Sequence, residues 1–293
     1  MENKKQTYRS FSEKWKNNKK LAFNTTLEKG SDIYNWILNR NGFTNTSQFK
    51  KWVSKKKNIL DAGCGNGRVC ALFRKYAPKE TNITGIDVID LKIAASNLKN
   101  LNVKLEKRDL VKKITNIGKF DLIYCQEVLH HTSNPVGAFR NLTKCLAKNG
   151  EIAIYVYKIK APMREFCDDY IRDRIANLSY KEAMLKMKQI TQLGKALSNL
   201  NLNVKVPTVD LLGIKAGQYD LQRFIYHFFA KCFWSKEIDF NSNAAINFDW
   251  YHPTLCTRHT LKEVEGWFKQ SKLKIIHKSE DHYGITVRGK KVK

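Results

Sequence analysis

The chain has 293 residues, enough to bury one large elaborated core or a core carrying an inserted cap. Its formal charge is +26, yet 41 of its 53 cations are lysines scattered along the whole length, so charge alone does not single out a nucleic-acid or membrane partner. Seven cysteines form no CxxC pair and are odd in number, which excludes a disulfide framework and points to reduced thiols in the cytosol; the basic N-terminus lacks an apolar segment and no apolar run reaches membrane-spanning length, so neither signal nor anchor is expected.

Residues 1–55 hold Phe11-Ser-Glu-Lys-Trp15 and then Ile33, Trp36, Ile37 and Leu38, a pattern for a helical cover ahead of the core. The lysine cluster from Lys50 to Lys57 reads as a solvated helix end. From residue 56 the pattern changes. Ile59-Leu60-Asp61 is an apolar strand that runs into Gly63, Gly65 and Gly67, with a helix expected from about Arg68. Glycines at alternate positions let the backbone turn sharply and approach a ligand closely, and the helix start offers unpaired N–H groups to it.

Asn82–Asp87 is a second strand ending in an acid, at the place where a carboxylate accepts the hydroxyls of a ribose. Val103–Glu106 is a third, followed by Asp109-Leu110, and Lys119–Cys125 is a fourth. An amphipathic helix over Val136–Leu146, the Asn149-Gly150 turn and a strand over Glu151–Tyr157 complete the run. Such alternation predicts an α/β fold, a parallel sheet with helices on both faces and ligands beyond the carboxyl ends of the strands.

Residues 158–248 interrupt this pattern with a mostly helical insert. Met163–Leu178 is dense in Arg, Asp and Glu, as on a solvated helix face. Ser179–Glu182 has the form of a capping box, and Met184, Met187, Ile190, Leu193, Leu197 and Leu200 recur at helical spacing after it. The aromatic run Leu221–Trp234 also has helical spacing. In residues 249–293 a second capping box, Thr260–Glu263, starts a helix, and strands over Leu273–Lys278 and Tyr283–Arg288 form a closing antiparallel pair, for seven strands in all.

The glycine spacing separates two kinds of nucleotide fold. A nicotinamide fold carries Gly-x-Gly-x-x-Gly, whereas Asp61-Ala-Gly63-Cys-Gly65-Asn-Gly67 resembles the Asp/Glu-x-Gly-x-Gly-x-Gly motif of class I S-adenosylmethionine (SAM) methyltransferases. The resemblance continues through Asp87, Arg108-Asp109-Leu110 and Phe120–His131, and is nearest the ubiquinone/menaquinone C-methyltransferase group of small-molecule enzymes. It implies a doubly wound, Rossmann-like, seven-stranded sheet with its last strand antiparallel, residues 56–157 as the SAM-binding core, and SAM as cofactor. It further implies that Gly63, Gly65 and Gly67 pass under the methionine part of SAM with Asp61 near its amino group. Asp87 would hold the ribose, Asp109 the adenine amino group with Leu110 flanking the ring, and Gln126 would face the methionyl end. Each acid has a plainer alternative as a helix or turn cap.

Methyl transfer from a sulfonium is an in-line displacement, so acceleration comes from holding the reacting atoms collinear in a dry pocket, and a base is needed only for a protonated acceptor. Candidates are His130 and His131 after the fourth strand, and Tyr251 and His252 in the late segment; only one of two adjacent histidines on extended chain can face a site, and the other packs. Cys125, His130 and His131 lack metal-ligand spacing, so no metal is expected. The insert is expected to fold over the SAM site as a lid, with Arg223, Tyr226, His227 or Trp234 lining the acceptor pocket, and Trp15 to touch SAM from the N-terminal cover. The resulting expectation is a cytosolic methyltransferase acting on oxygen or carbon of a small molecule. The rivals are a tRNA or rRNA methyltransferase using the basic surface and a non-catalytic SAM-binding protein.

Overall fold

The computed structural model describes residues 2–292. Four helices open the chain: α1 (Glu2–Asn17), α2 (Phe23–Leu27), α3 (Asp32–Arg40) and α4 (Thr46–Val53). The alternating part follows as β1 (Asn58–Ala62), α5 (Arg68–Tyr76), β2 (Asn82–Asp87), α6 (Lys92–Asn97), β3 (Val103–Lys107), β4 (Phe120–Gln126), α7 (Pro135–Lys144) and β5 (Leu146–Tyr157). The insert contains α8 (Pro162–Ile175), α9 (Tyr180–Asn199), β6 (Asn203–Val206), β7 (Gly217–Asp220), α10 (Leu221–Phe228) and α11 (Phe240–Tyr251). The chain closes with α12 (Leu261–Gln270), β8 (Leu273–Glu280) and β9 (Gly284–Lys291).

The main sheet has seven strands in the order β3-β2-β1-β4-β5-β9-β8. β1 to β5 pair in parallel, and β9 runs antiparallel between β5 and β8, which is the doubly wound arrangement with an antiparallel last strand. The strands are apolar on both faces because both are covered. Leu60, Ile123, Ile152 and Ile154 enter one core with Phe139, Leu142, Trp267 and Phe268. Their neighbours Ile59, Leu122, Tyr124 and Ala153 enter the other, against Phe49, Trp52 and Phe73. The period of two along each strand is thus the origin of two cores.

The chain divides into two compact units. One holds Lys19–Lys158 and Thr257–Lys293, hence the sheet; the other holds the residues up to Asn18 together with Ile159–Cys256. The helical stretch expected over 1–55 therefore parts at residue 18, and α1 packs with the insert rather than beside α2 to α4. Gln6 fixes it there, donating to the carbonyls of Ala176 and His252 at 2.7 and 2.8 Å and accepting from the Thr254 amide at 2.8 Å.

Three details of the insert depart from the sequence pattern. The charges of α8 divide between two faces: Asp169, Asp173 and Arg174 are exposed as expected, whereas Arg164, Asp168 and Arg172 lie one turn apart and are buried. Arg164 Nε donates to Asp168 Oδ1 at 2.8 Å, Asp168 Oδ2 accepts from Trp250 Nε1 at 2.8 Å, and Arg164 also donates to the Tyr226 carbonyl. Helix α9 is turned so that Ala183, Met187, Thr191 and Gly194 face inward, leaving Leu193 and Leu200 exposed; a Cβ at Gly194 would lie 2.2 Å from the Cys232 carbonyl oxygen. Between α9 and α10 stands the antiparallel β6–β7 pair, in a stretch for which no strand was expected.

Candidate active site

The glycine loop is tied to β2 by its own backbone. The amides of Gly63 and Cys64 both donate to the Ile86 carbonyl, at 2.7 and 3.0 Å, and the Gly65 amide donates to Asp87 Oδ2 at 2.9 Å. Asp87 Oδ1 in turn accepts from the Val88 amide at 2.7 Å. Gly63 has a φ of +87°, and a Cβ there would lie 2.2 Å from Val128 Cγ2, so both conformation and space demand glycine. The Arg108 amide donates to the Asp87 carbonyl at 2.7 Å, which brings Asp109 to the same end of the sheet. Leu110 is buried in the first core, and Asn141 of α7, which sequence reasoning passed over, holds its carbonyl at 3.0 Å.

Asp61 is buried at the end of β1, with Cys70 Sγ donating to its Oδ2 at 3.2 Å. Burial pushes its carboxyl up to about 7, against the smaller opposing effects of Cys70 and Arg68. Gln126 ends β4. Tyr124 Oη donates to its Oε1, while its Nε2 is buried with no hydrogen-bond partner. Glu127 then takes a left-handed conformation, φ +60°, and pairs with Arg68 at 3.4 Å. That turn redirects the chain from the strand into the histidines.

His130 and His131 sit on a short 3-10 turn rather than on extended chain, so both rings come to Tyr157. His130 stacks on Tyr157 at a centroid distance of 3.6 Å, and His131 meets it edge-on at 5.5 Å. The Tyr157 amide donates to His130 Nδ1 at 3.3 Å, which leaves the proton of the neutral ring on Nε2. Tyr155 continues the aromatic row, 6.2 Å from Tyr157 and 5.7 Å from Trp36 of α3. Cys125 lies wholly within the core, and burial pushes its thiol well above the ordinary range.

Tyr251 and His252 belong to the other unit and are taken up by its packing. Tyr251 Oη donates to the Lys231 carbonyl at 3.1 Å. His252 Nδ1 meets Ser10 Oγ at 2.9 Å and its Nε2 meets the Leu178 carbonyl at 3.1 Å, and burial lowers its pKa. Trp15 is also in that unit, under the Lys14 ammonium at 4.3 Å. Arg223, Tyr226, His227 and Trp234 stand there too, with Arg223 donating to the Trp234 carbonyl at 3.3 Å.

Sequence reasoning missed Arg40 and Asn41 at the end of α3, both buried. Asn41 Nδ2 donates to Tyr124 Oη at 3.3 Å, beside Gln126. The signal was present in part: Arg40 stands three residues after Ile37, a cation on the apolar stripe of its helix.

Residues 53–203 match the family described as "Methyltransferase domain", just over half of the chain. The chain therefore belongs to the methyltransferase domain family, a class of SAM-dependent enzymes. Among curated relatives it is 31% identical over 176 residues to a tRNA U34 carboxymethyltransferase of Campylobacter fetus subsp. fetus, covering 58% of this chain and 57% of that one. It is 26% identical over 102 residues to a ubiquinone biosynthesis O-methyltransferase of Coxiella burnetii, covering 33% and 42%. The chain spans about half the length of the curated relatives it matches. Among solved structures, PKMT2 from Rickettsia typhi aligns with a TM-score of 0.51 at 17% identity over 78% of this chain and 42% of that one, a likeness of fold. Among the described residues no helix is long and apolar enough to cross a membrane.

Proposed function

We propose that this enzyme transfers the methyl group of SAM to an oxygen or carbon of a small-molecule acceptor in the cytosol. The observation that carries the small-molecule reading is the run of packed rings Trp36, Tyr155, Tyr157 and His130 next to Gln126, an aromatic grouping of the kind that lines small-molecule sites.

The residues at the strand ends fit the cofactor. Asp61, held near neutrality by burial, ionises on meeting an ammonium group; Asp87 offers carboxylate oxygens to a diol; Asp109 accepts from the adenine amine beside Leu110. Gly63, Gly65 and Gly67 let the backbone approach, and the buried, unpaired Gln126 Nε2 supplies a donor toward the methionyl end. SAM supplies an electrophilic methyl carbon on a sulfonium, and the protein contributes alignment and dryness. His130, with its proton on Nε2, donates to and orients the acceptor oxygen, whereas His131 is the candidate base.

A second reading, transfer to tRNA, is favoured by the similarity to tRNA U34 carboxymethyltransferases and by the +26 charge. Incubation of a metabolite extract and total tRNA with methyl-labelled SAM separates the two. Label in a small molecule is the expected result. Label in tRNA, with affinity falling steeply as salt rises, replaces the small-molecule reading, and tight SAM binding with no labelled product in either fraction supports a non-catalytic protein.

A further inference from the structure

Arg40 is the buried cation for which the fold leaves the most donors over. Its side chain is 5% exposed, and its Nε bonds Asp281 Oδ2 at 3.0 Å. Its two terminal nitrogens, Nη1 and Nη2, are both buried without a hydrogen-bond partner, and no other arginine among the described residues has both left so. Elsewhere in the same unit arginines find acceptors: Arg288 reaches Glu151 and the Asn41 carbonyl, and Arg74 caps four carbonyls. Asp281 balances the charge of this guanidinium, but its two unmatched amines out of water still favour an acceptor.

The position gives the missing partner its chemistry. The guanidinium carbon lies 3.3 Å from the Trp36 ring centre and 4.0 Å from that of Tyr155, two rings set at 64° to each other, so the cation is held in an aromatic corner. Tyr155 is the register partner of Gln126, whose buried Nε2 also lacks an acceptor. Register partners in a parallel pair lie about 4.8 Å apart and present side chains to the same face. Asn41, next along the chain, carries a further unmatched buried atom, Oδ1, beside Tyr124. The half-exposed Tyr283, at 5.6 Å from the guanidinium, stands on the solvent side.

We propose that Arg40 binds a carboxylate substituent of the acceptor, its fork taking both oxygens while the body of the molecule lies along Tyr155 toward His130. This deepens the methyltransferase reading and rests on it. Phosphate offers the same charge with a different shape, and the planar fork with its two free amines matches the planar two-oxygen carboxylate better.

The test uses full-length protein saturated with S-adenosylhomocysteine and labelled with 5-fluorotryptophan, the Trp36 resonance being assigned with Trp36→Phe. Benzoate, phenyl phosphate and the neutral benzamide are titrated as probes. Benzoate is expected to shift the Trp36 resonance saturably, at least tenfold more tightly than benzamide, and Arg40→Lys to weaken benzoate about tenfold by keeping the charge but losing the fork. Benzamide binding as tightly as benzoate, or an unchanged benzoate affinity in Arg40→Lys, overturns the proposal. Tighter binding of phenyl phosphate overturns the carboxylate assignment. The benzoate-to-benzamide comparison is made on the wild type and stands even where the variant does not fold. Failure to bind S-adenosylhomocysteine at the outset counts instead against the cofactor reading.

Discussion

Asp61 couples protonation to both stability and cofactor binding. Its folded pKa, about 7, is raised from 3.8, so its favourable contribution is present below pH 4 and is lost as pH rises through 7. A shift of about 3 units corresponds to at most about 4 kcal/mol. Asp61→Asn is therefore expected to come nearest the wild type in urea unfolding at about pH 3.5 and to exceed it increasingly toward about pH 8.5, while binding SAM more weakly; a stability difference that does not change with pH would count against the burial argument. Wild-type SAM affinity is expected to fall as pH drops below 7, because the protonated carboxyl no longer pairs with an ammonium group. Gly63 is constrained differently. Gly63→Ala has both a positive φ and a contact at 2.2 Å with Val128 to relieve, for an expected loss of about 2–5 kcal/mol. Adding Val128→Ala is expected to restore only the steric part, so a double variant as stable as wild type would show that the φ imposes no strain.

Helix α8 shows how an element's outward face is decided by its partners. Its charges at 164, 168 and 172 look solvated along the sequence, but Trp250 and the Tyr226 carbonyl supply the groups that make burial tolerable. Asp168→Asn leaves the Arg164 guanidinium buried without its counter-charge and is expected to cost about 3–5 kcal/mol, whereas the pair Arg164→Met with Asp168→Leu is expected to stay much nearer the wild type. Equilibrium urea unfolding of the three proteins reads this directly. Helix α9 gives the same lesson in apolar terms: its leucines at 193 and 200 suggest one face, yet the close approach at Gly194 and the Asn247 bond to Thr191 at 2.9 Å select another. By contrast, the Ser179 and Thr260 capping boxes form as read, since every atom they need lies within three residues.

At the scale of the molecule, each compact unit is assembled from two stretches of chain. Removing residues 1–18 is expected to raise amide exchange across 159–256 while leaving β1 to β5 protected, because Gln6, Thr7 and Lys14 make their bonds within the unit that contains the insert. Exchange that rises instead in the sheet would contradict that division. What the amino-acid order determined alone was the part whose physics is local: the strand alternation, the positive-φ glycines at 63, 65 and 67, the acids at the strand ends and the helix caps all rest on dihedral preference and short-range periodicity. Only tertiary packing decided that α1 joins the insert, that Tyr251 and His252 are spent on internal bonds, and that Arg40 and Asn41 come to Tyr124 and Tyr155. Those contacts join residues as far as 248 positions apart, and nothing in either partner's neighbourhood encodes a meeting that exists only once each unit has packed.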